Sequence, residues 1–129
     1  MRYLVDAHTL LWSQDDITRL PEPATTALTN PADDRLLSIA TIWEIGIKVA
    51  LGKLPLSKPF RTWMDTAISD LAMTPLPITL DHVEQLTQLP FHHRDPFDRL
   101  IIAQAIVEDI PLISSDTQFD AYGIHRIWD

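Results

Sequence analysis

The sequence contains no cysteine. Disulfides and thiolate metal sites are therefore both excluded, which fits a reducing compartment. No apolar run approaches the roughly 20 residues that span a bilayer. An acid already stands at position six, in Met1-Arg2-Tyr3-Leu4-Val5-Asp6, too early for a secretory signal. The expectation is a cytoplasmic protein without membrane attachment. Cations are scarce: 10 Lys and Arg stand against 18 Asp and Glu, for a formal charge of −8. For a protein that touches nucleic acid this is the wrong overall sign. It fits acids gathered in a cation-binding site, or work beside a basic partner. Arg35, Lys48, Lys53, Lys58 and Arg61 fall in the middle of the chain. They are read as solvated helix surface before a basic face. There is no internal repeat and no low-complexity segment.

What is present describes one globular domain, residues 1–129. The length is enough for a real core. Apolar residues make up 46% and the mean hydropathy is +0.01, values of an ordinary folded domain. Tyr3-Leu4-Val5 reads as a first strand and Ala7 to Ser13 as a helix. Ala24 to Thr29 is a second short helix, closed by Asn30-Pro31. Leu36-Leu37-Ser38 is a strand. A helix follows from about Thr41, and another spans about Pro59 to Leu71. Thr74 to Pro77 is an extended connector or edge strand. Leu80 to Leu89 is helical. Asp95 and Pro96 then open a nearly all-apolar helix, with Asp95 as N-cap and Pro96 at the first helical position. Pro111 to Ser114 is a strand, Asp116 to Tyr122 a short helix or turn, and Ile124 to Trp128 a last strand. Strands alternating with helices indicate an α/β domain with a parallel sheet.

Four acids belong at one edge of that sheet. Ligands collect at the carboxyl ends of parallel strands. Asp6 follows the first strand and Asp116 follows Leu112-Ile113-Ser114. A helix returning from that edge starts there, which adds Asp98 and Glu44. Each has a bland reading alone. Asp6 and Asp116 serve as caps, Asp98 complements a helix dipole, and Glu44 pairs with Lys48 at i, i+4. Together they make an uncompensated negative cluster, which is costly. Divalent cations bound by oxygen are the usual compensation, with Mg²⁺ the natural candidate and Mn²⁺ a substitute. Such a site has no side-chain nucleophile, and metal-activated water attacking a phosphodiester is the chemistry it suits.

The chain resembles a PIN-domain ribonuclease toxin of the VapC class over nearly its whole length. The resemblance rests on Leu4-Val5-Asp6-Ala7-His8-Thr9, on Leu37-Ser38 through Trp43-Glu44 to Lys48, on Gly52-Lys53-Leu54, on His93-Arg94-Asp95-Pro96-Phe97-Asp98-Arg99 through Ala105, and on Leu112-Ile113-Ser114-Ser115-Asp116. Ser114 stands where the family usually has Thr, and a hydroxyl is retained. The resemblance implies a three-layer α/β/α fold with a short-stranded, mostly parallel sheet. It implies metal-binding and catalytic acids at Asp6, Glu44, Asp98 and Asp116. It also implies Mg²⁺-dependent endoribonuclease activity, a place in a type II toxin–antitoxin module, homodimers, and neutralisation by a VapB-like antitoxin.

Other residues take supporting roles in this reading. Asp95 and Asp120 are capping or outer acids, and Thr9 and Ser115 supply hydrogen bonds to the site. Arg99 pairs with an acid, or alternatively faces phosphate. His92-His93 lacks the matching ligand pair of a zinc site. His8 is read as buried or on a helix surface. Trp12, Trp43, Trp63 and Trp128 are assigned to the core or a dimer interface before RNA stacking. Two other functions suit an acid cluster. One is a phosphotransfer domain with Asp6 as covalent nucleophile. The other is a catalytically silent antitoxin-binding protein.

Overall fold

The computed structural model describes residues 1–129. Five strands and six α-helices follow in the order β1 (Arg2–Val5), α1 (Ala7–Asp15), α2 (Glu22–Thr29), β2 (Asp34–Ser38), α3 (Ile39–Ala50), α4 (Phe60–Asp70), β3 (Met73–Leu76), α5 (Leu80–Thr87), α6 (Pro96–Glu108), β4 (Leu112–Ile113) and β5 (Arg126–Ile127). Two 3₁₀ turns, Ile17–Arg19 and Thr117–Tyr122, complete the chain. No helix is long and apolar enough to cross a membrane.

The sheet order is β3-β2-β1-β4-β5 and every pairing is parallel. Side chains alternate between its faces, as strand geometry requires. Tyr3, Val5, Leu37 and Ile113 join a cluster with Leu10, Leu28, Ile45, Trp63 and Met64 on one side. Leu4, Leu36 and Leu112 join Leu89, Ile101, Ile102 and Phe119 on the other. The central strands are thus covered on both faces, which is why they read as unbroken apolar runs. The expected three-layer α/β/α arrangement follows from this. Pro75 is accommodated because β3 is an edge strand, paired only with β2.

The element readings hold with shifted ends. The helix read from about Thr41 begins at Ile39, with Ser38 capping it through a 3.0 Å bond from the Ala40 N–H. Glu44 therefore lies in the second turn of α3. The terminal strands shrink to Leu112–Ile113 and Arg126–Ile127, because only these residues find ladder partners. The turn at Ile17–Arg19 had no sequence signal of the 3.6-residue kind.

Arg35 departs from its reading as surface. It is buried, and its guanidinium donates to the carbonyls of Leu71 (2.7 Å), Ala27 (3.2 Å) and Asn30 (2.9 Å). It thereby satisfies the ends of α2 and α4, whose last carbonyls have no partner within their own helices. Trp63 is likewise fully buried, its indole N–H donating to Asp15. Arg35→Ala removes the guanidinium from three carbonyls, of which Asn30 alone keeps a further donor, the Asp33 N–H at 3.1 Å, and is expected to cost about 2–3 kcal/mol, read as a lower melting temperature by calorimetry.

Candidate metal centre

Strand order reverses direction beside β1: the chain crosses to β2 on one side and later to β4 on the other. This switch point opens a crevice at the carboxyl ends of β1 and β4. Asp6 and Asp116 stand at those two ends.

Asp6 is 5% exposed and held from both sides. Its Oδ1 accepts the Thr9 N–H at 2.9 Å, the N-cap bond of α1. Its Oδ2 accepts the Ser114 hydroxyl at 2.5 Å. The Thr9 hydroxyl meanwhile donates to the Ile113 carbonyl at 2.9 Å. These bonds tie β1 to β4 across the crevice. Burial pushes the Asp6 carboxyl up, and the Ser114 and Thr9 donors only partly oppose it. Asp6 is thus both a cap and a crevice acid. Ser114 plays the supporting role expected of Ser115: its oxygen also accepts the Asp116 N–H at 3.0 Å. Ser115 makes no side-chain hydrogen bond.

Asp98 lies in the first turn of α6, whose N-cap Asp95 accepts the Phe97 and Asp98 N–H groups at 2.9 and 3.1 Å. Burial, then Asp95 and Glu44, and more weakly Asp6, push the Asp98 carboxyl up from 3.8 to about 7. His93 acts in the opposite direction. Glu44 reaches the same group from α3. Its Oε2 accepts from Lys48 at 2.8 Å, the expected i, i+4 pair, while its Oε1 is buried with no hydrogen-bond partner. The pairing with Glu44 and the nearby charges of Asp95 and Asp98 hold the Lys48 ammonium up. Asp116 caps the 117–122 turn through the Gln118 N–H at 2.9 Å.

The structure also brings in His93, a residue that the sequence reading set aside. Its Nε2 lies 3.0 Å from Asp98 Oδ2 and 3.5 Å from Asp116 Oδ2, and the ligand atoms of His93, Asp98 and Asp116 fall within 4.8 Å of one another. The sequence searched for a zinc pair at His92-His93. His92 instead turns outward against Tyr122. The usable signal was proximity to the Asp95-Pro96 cap, which folds His93 back over its own helix start. Asp120 leaves the centre altogether and pairs with Arg126 at 3.0 Å. Arg99 pairs with no acid: it is buried and donates to the carbonyls of Pro90 and Leu89. His8 is exposed beside Trp12. Trp43 is 59% exposed and meets Phe97 edge-on at 5.2 Å; these aromatics immediately precede Glu44 and Asp98 in the chain.

The donor set suits a hard divalent cation. It offers carboxylate oxygens, and Glu44 Oε1 is a buried acceptor that no protein donor serves. The ligand atoms gathered closely enough to share one ion are those of His93, Asp98 and Asp116, with Asp6 and Glu44 adding negative charge around Asp98.

Residues 3–124 match the model of the PIN domain family, and the chain belongs to that family. The fold is similar to that in VapBC2 from Rickettsia felis bound to a DNA fragment from its promoter, with a TM-score of 0.76, 14% identity and 100% of both chains covered. It is similar to FitAcB from Neisseria gonorrhoeae, with a TM-score of 0.65, 19% identity, and 96% of this chain and 95% of that one covered. It is also similar to VapBC-5 from Mycobacterium tuberculosis, a member of the VapBC family of toxin–antitoxin systems, with a TM-score of 0.63, 17% identity, and 99% and 98% covered. These likenesses are of fold. No curated protein matches the chain in sequence.

The raised Asp98 carboxyl links stability to pH. The folded protein holds that proton more tightly than the unfolded chain, whose Asp titrates near 3.8. At lower pH the group is neutral in both states and carries no penalty. Between about 4 and 7 the unfolded chain ionises this group while the folded protein keeps it protonated, so stability falls progressively as pH rises. Metal-free wild type is therefore expected to lose stability across that window relative to Asp98→Asn, so that at pH 8 the variant melts higher. Melting curves of both proteins in chelator, from pH 4 to 8, check this.

Proposed function

We propose that this chain is a metal-dependent endoribonuclease, the toxin of a type II toxin–antitoxin module of the VapC class. The observation that carries the reading is the set of carboxylates at one sheet edge, with Asp98 pushed to about 7 and Glu44 Oε1 buried without a donor. So much negative charge in one crevice asks for a cation. The PIN family match and the printed names of the similar structures, VapBC toxin–antitoxin systems among them, support the class.

Asp6, Glu44, Asp98 and Asp116 are proposed as the metal-binding and catalytic residues, with Mg²⁺ as the ion and Mn²⁺ as its substitute. A bound divalent ion supplies an activated water and stabilises charge on the phosphoryl oxygens. The chain's own work is to fix the acids. Thr9 and Ser114 lock both oxygens of Asp6. Asp95 sets the first turn that carries Asp98, and Lys48 engages one oxygen of Glu44 while the other stays free. The Ser114 hydroxyl is fully buried and out of substrate's reach, so no serine nucleophile competes at this edge. A covalent role for Asp6, the phosphotransfer alternative, is disfavoured by its burial and by its two engaged oxygens. The proposal includes RNA as substrate, a VapB-like antitoxin with a basic side chain reaching the acids, homodimers and a cytoplasmic location. The −8 charge suits such a partner.

Two measurements test this. Mg²⁺ or Mn²⁺ at about 100 times its dissociation constant is expected to stabilise wild type by about 2.7 kcal/mol, visible as a higher melting temperature. Asp98→Asn is expected to fold normally and to abolish RNA cleavage, read by mapping new ends in total cellular RNA after induction. Cleavage at the wild-type rate by Asp98→Asn overturns the assignment, and tight antitoxin binding with no cleavage under any metal favours the catalytically silent alternative.

A further inference from the structure

We propose that His93 is a positioning residue of the acid centre, its imidazole edge fixing Asp98 and Asp116 together from outside the set of metal ligands. The inference rests on the metal-centre reading above and deepens it.

The side chain is 10% exposed. Its Nδ1 accepts the Asp95 N–H at 3.3 Å. In a neutral imidazole the other nitrogen then carries the hydrogen. Nε2–H is therefore the edge turned to Asp98 Oδ2 at 3.0 Å and Asp116 Oδ2 at 3.5 Å. Neither oxygen makes an aligned hydrogen bond with it. One N–H edge thus lies between carboxylates from two different elements, the start of α6 and the turn after β4, within ion-pair distance of both. A nitrogen that carries hydrogen cannot donate a lone pair to a metal, so the ring orients the ligands without being one.

The surroundings hold His93 firmly enough for that work. Its own N–H donates to the Tyr122 hydroxyl at 2.8 Å, and that hydroxyl donates to the Pro90 carbonyl at 2.8 Å. Arg99 spreads its guanidinium over the same segment, reaching the carbonyls of Pro90 (2.9 Å), Leu89 (3.3 Å), Leu86 (3.4 Å) and His93 itself (3.4 Å). A buried arginine whose hydrogen-bond partners are all carbonyls is an expensive fixture, and here all four carbonyls lie between Leu86 and His93, with the Phe91 ring 4.0 Å from the guanidinium. The ring also lies against Phe119 at 5.9 Å. A surface histidine would need none of this.

The test is Mn²⁺ binding to the full chain by calorimetry, with electron paramagnetic resonance on ¹⁵N-histidine-labelled protein. His93→Leu keeps an apolar contact with Phe119 and removes the donor. It is expected to bind Mn²⁺ about 10–100-fold more weakly than wild type, as is His93→Ala. His93→Gln restores an N–H donor of similar reach and is expected to recover most of the affinity, which a purely structural role would not predict. Wild-type spectra are expected to lack the coupling of a directly bound nitrogen. Strong ¹⁵N coupling makes His93 a metal ligand and overturns the proposal. Unchanged affinity in His93→Leu, or no rescue by His93→Gln, also overturns it. Wild type that binds no Mn²⁺ instead overturns the metal-centre reading beneath it, so the two failures are told apart.

Discussion

Like charges confined to one edge of a parallel sheet set the terms for the rest of this molecule. A pair of unit charges 4 Å apart is worth about 4 kcal/mol at an effective dielectric constant near 20. A domain of this size holds together by only about 5–15 kcal/mol. Several carboxylates in one crevice are therefore a serious liability, and much of the local structure offsets it. Asp6 is given two donors, Glu44 a lysine, and Asp98 and Asp116 a shared imidazole. The offset is incomplete. Asp98 still prefers its proton near neutral pH, and one oxygen of Glu44 has no donor at all. A fold that keeps such a residual imbalance in a crevice is one prepared to receive positive charge.

Backbone architecture creates the crevice before any acid fills it. Strand order 3-2-1-4-5 sends the chain in opposite directions from β1, so the carboxyl ends of β1 and β4 are left without a crossover helix between them. The two apolar layers on either side fix the sheet. Arg35 and Arg99 then use buried guanidinium groups on backbone carbonyls rather than on acids. Both arginines bind loops down without drawing charge from the centre. With few cations in the sequence, this division leaves Lys48 as the lysine joined to a centre acid.

Several residues near the crevice serve twice. Asp6, Asp95 and Asp116 are helix or turn caps by their hydrogen bonds, and they also border the centre by position. The bland and the functional readings of these acids are therefore not rivals. A cap needs a carboxylate at the start of a helix, and in a parallel α/β sheet helix starts gather at the carboxyl edge. The same geometry that satisfies backbone N–H groups collects negative charge.

Local patterns were enough to determine the α/β alternation, the apolar strands and the Asp95-Pro96 helix start, because these depend on residue order and on crossover geometry alone. The PIN resemblance was legible for the same reason: its segments are short and contiguous. Tertiary structure decided what contiguous segments cannot encode. It chose Ser114 over Ser115 as the partner of Asp6, since just past the end of β4 only the Ser114 hydroxyl is turned to that carboxylate. It buried Arg35, sent Asp120 to Arg126, and turned Arg99 onto carbonyls. It set His93 between Asp98 and Asp116, a meeting of two chain segments whose distance in space no spacing in the sequence reveals.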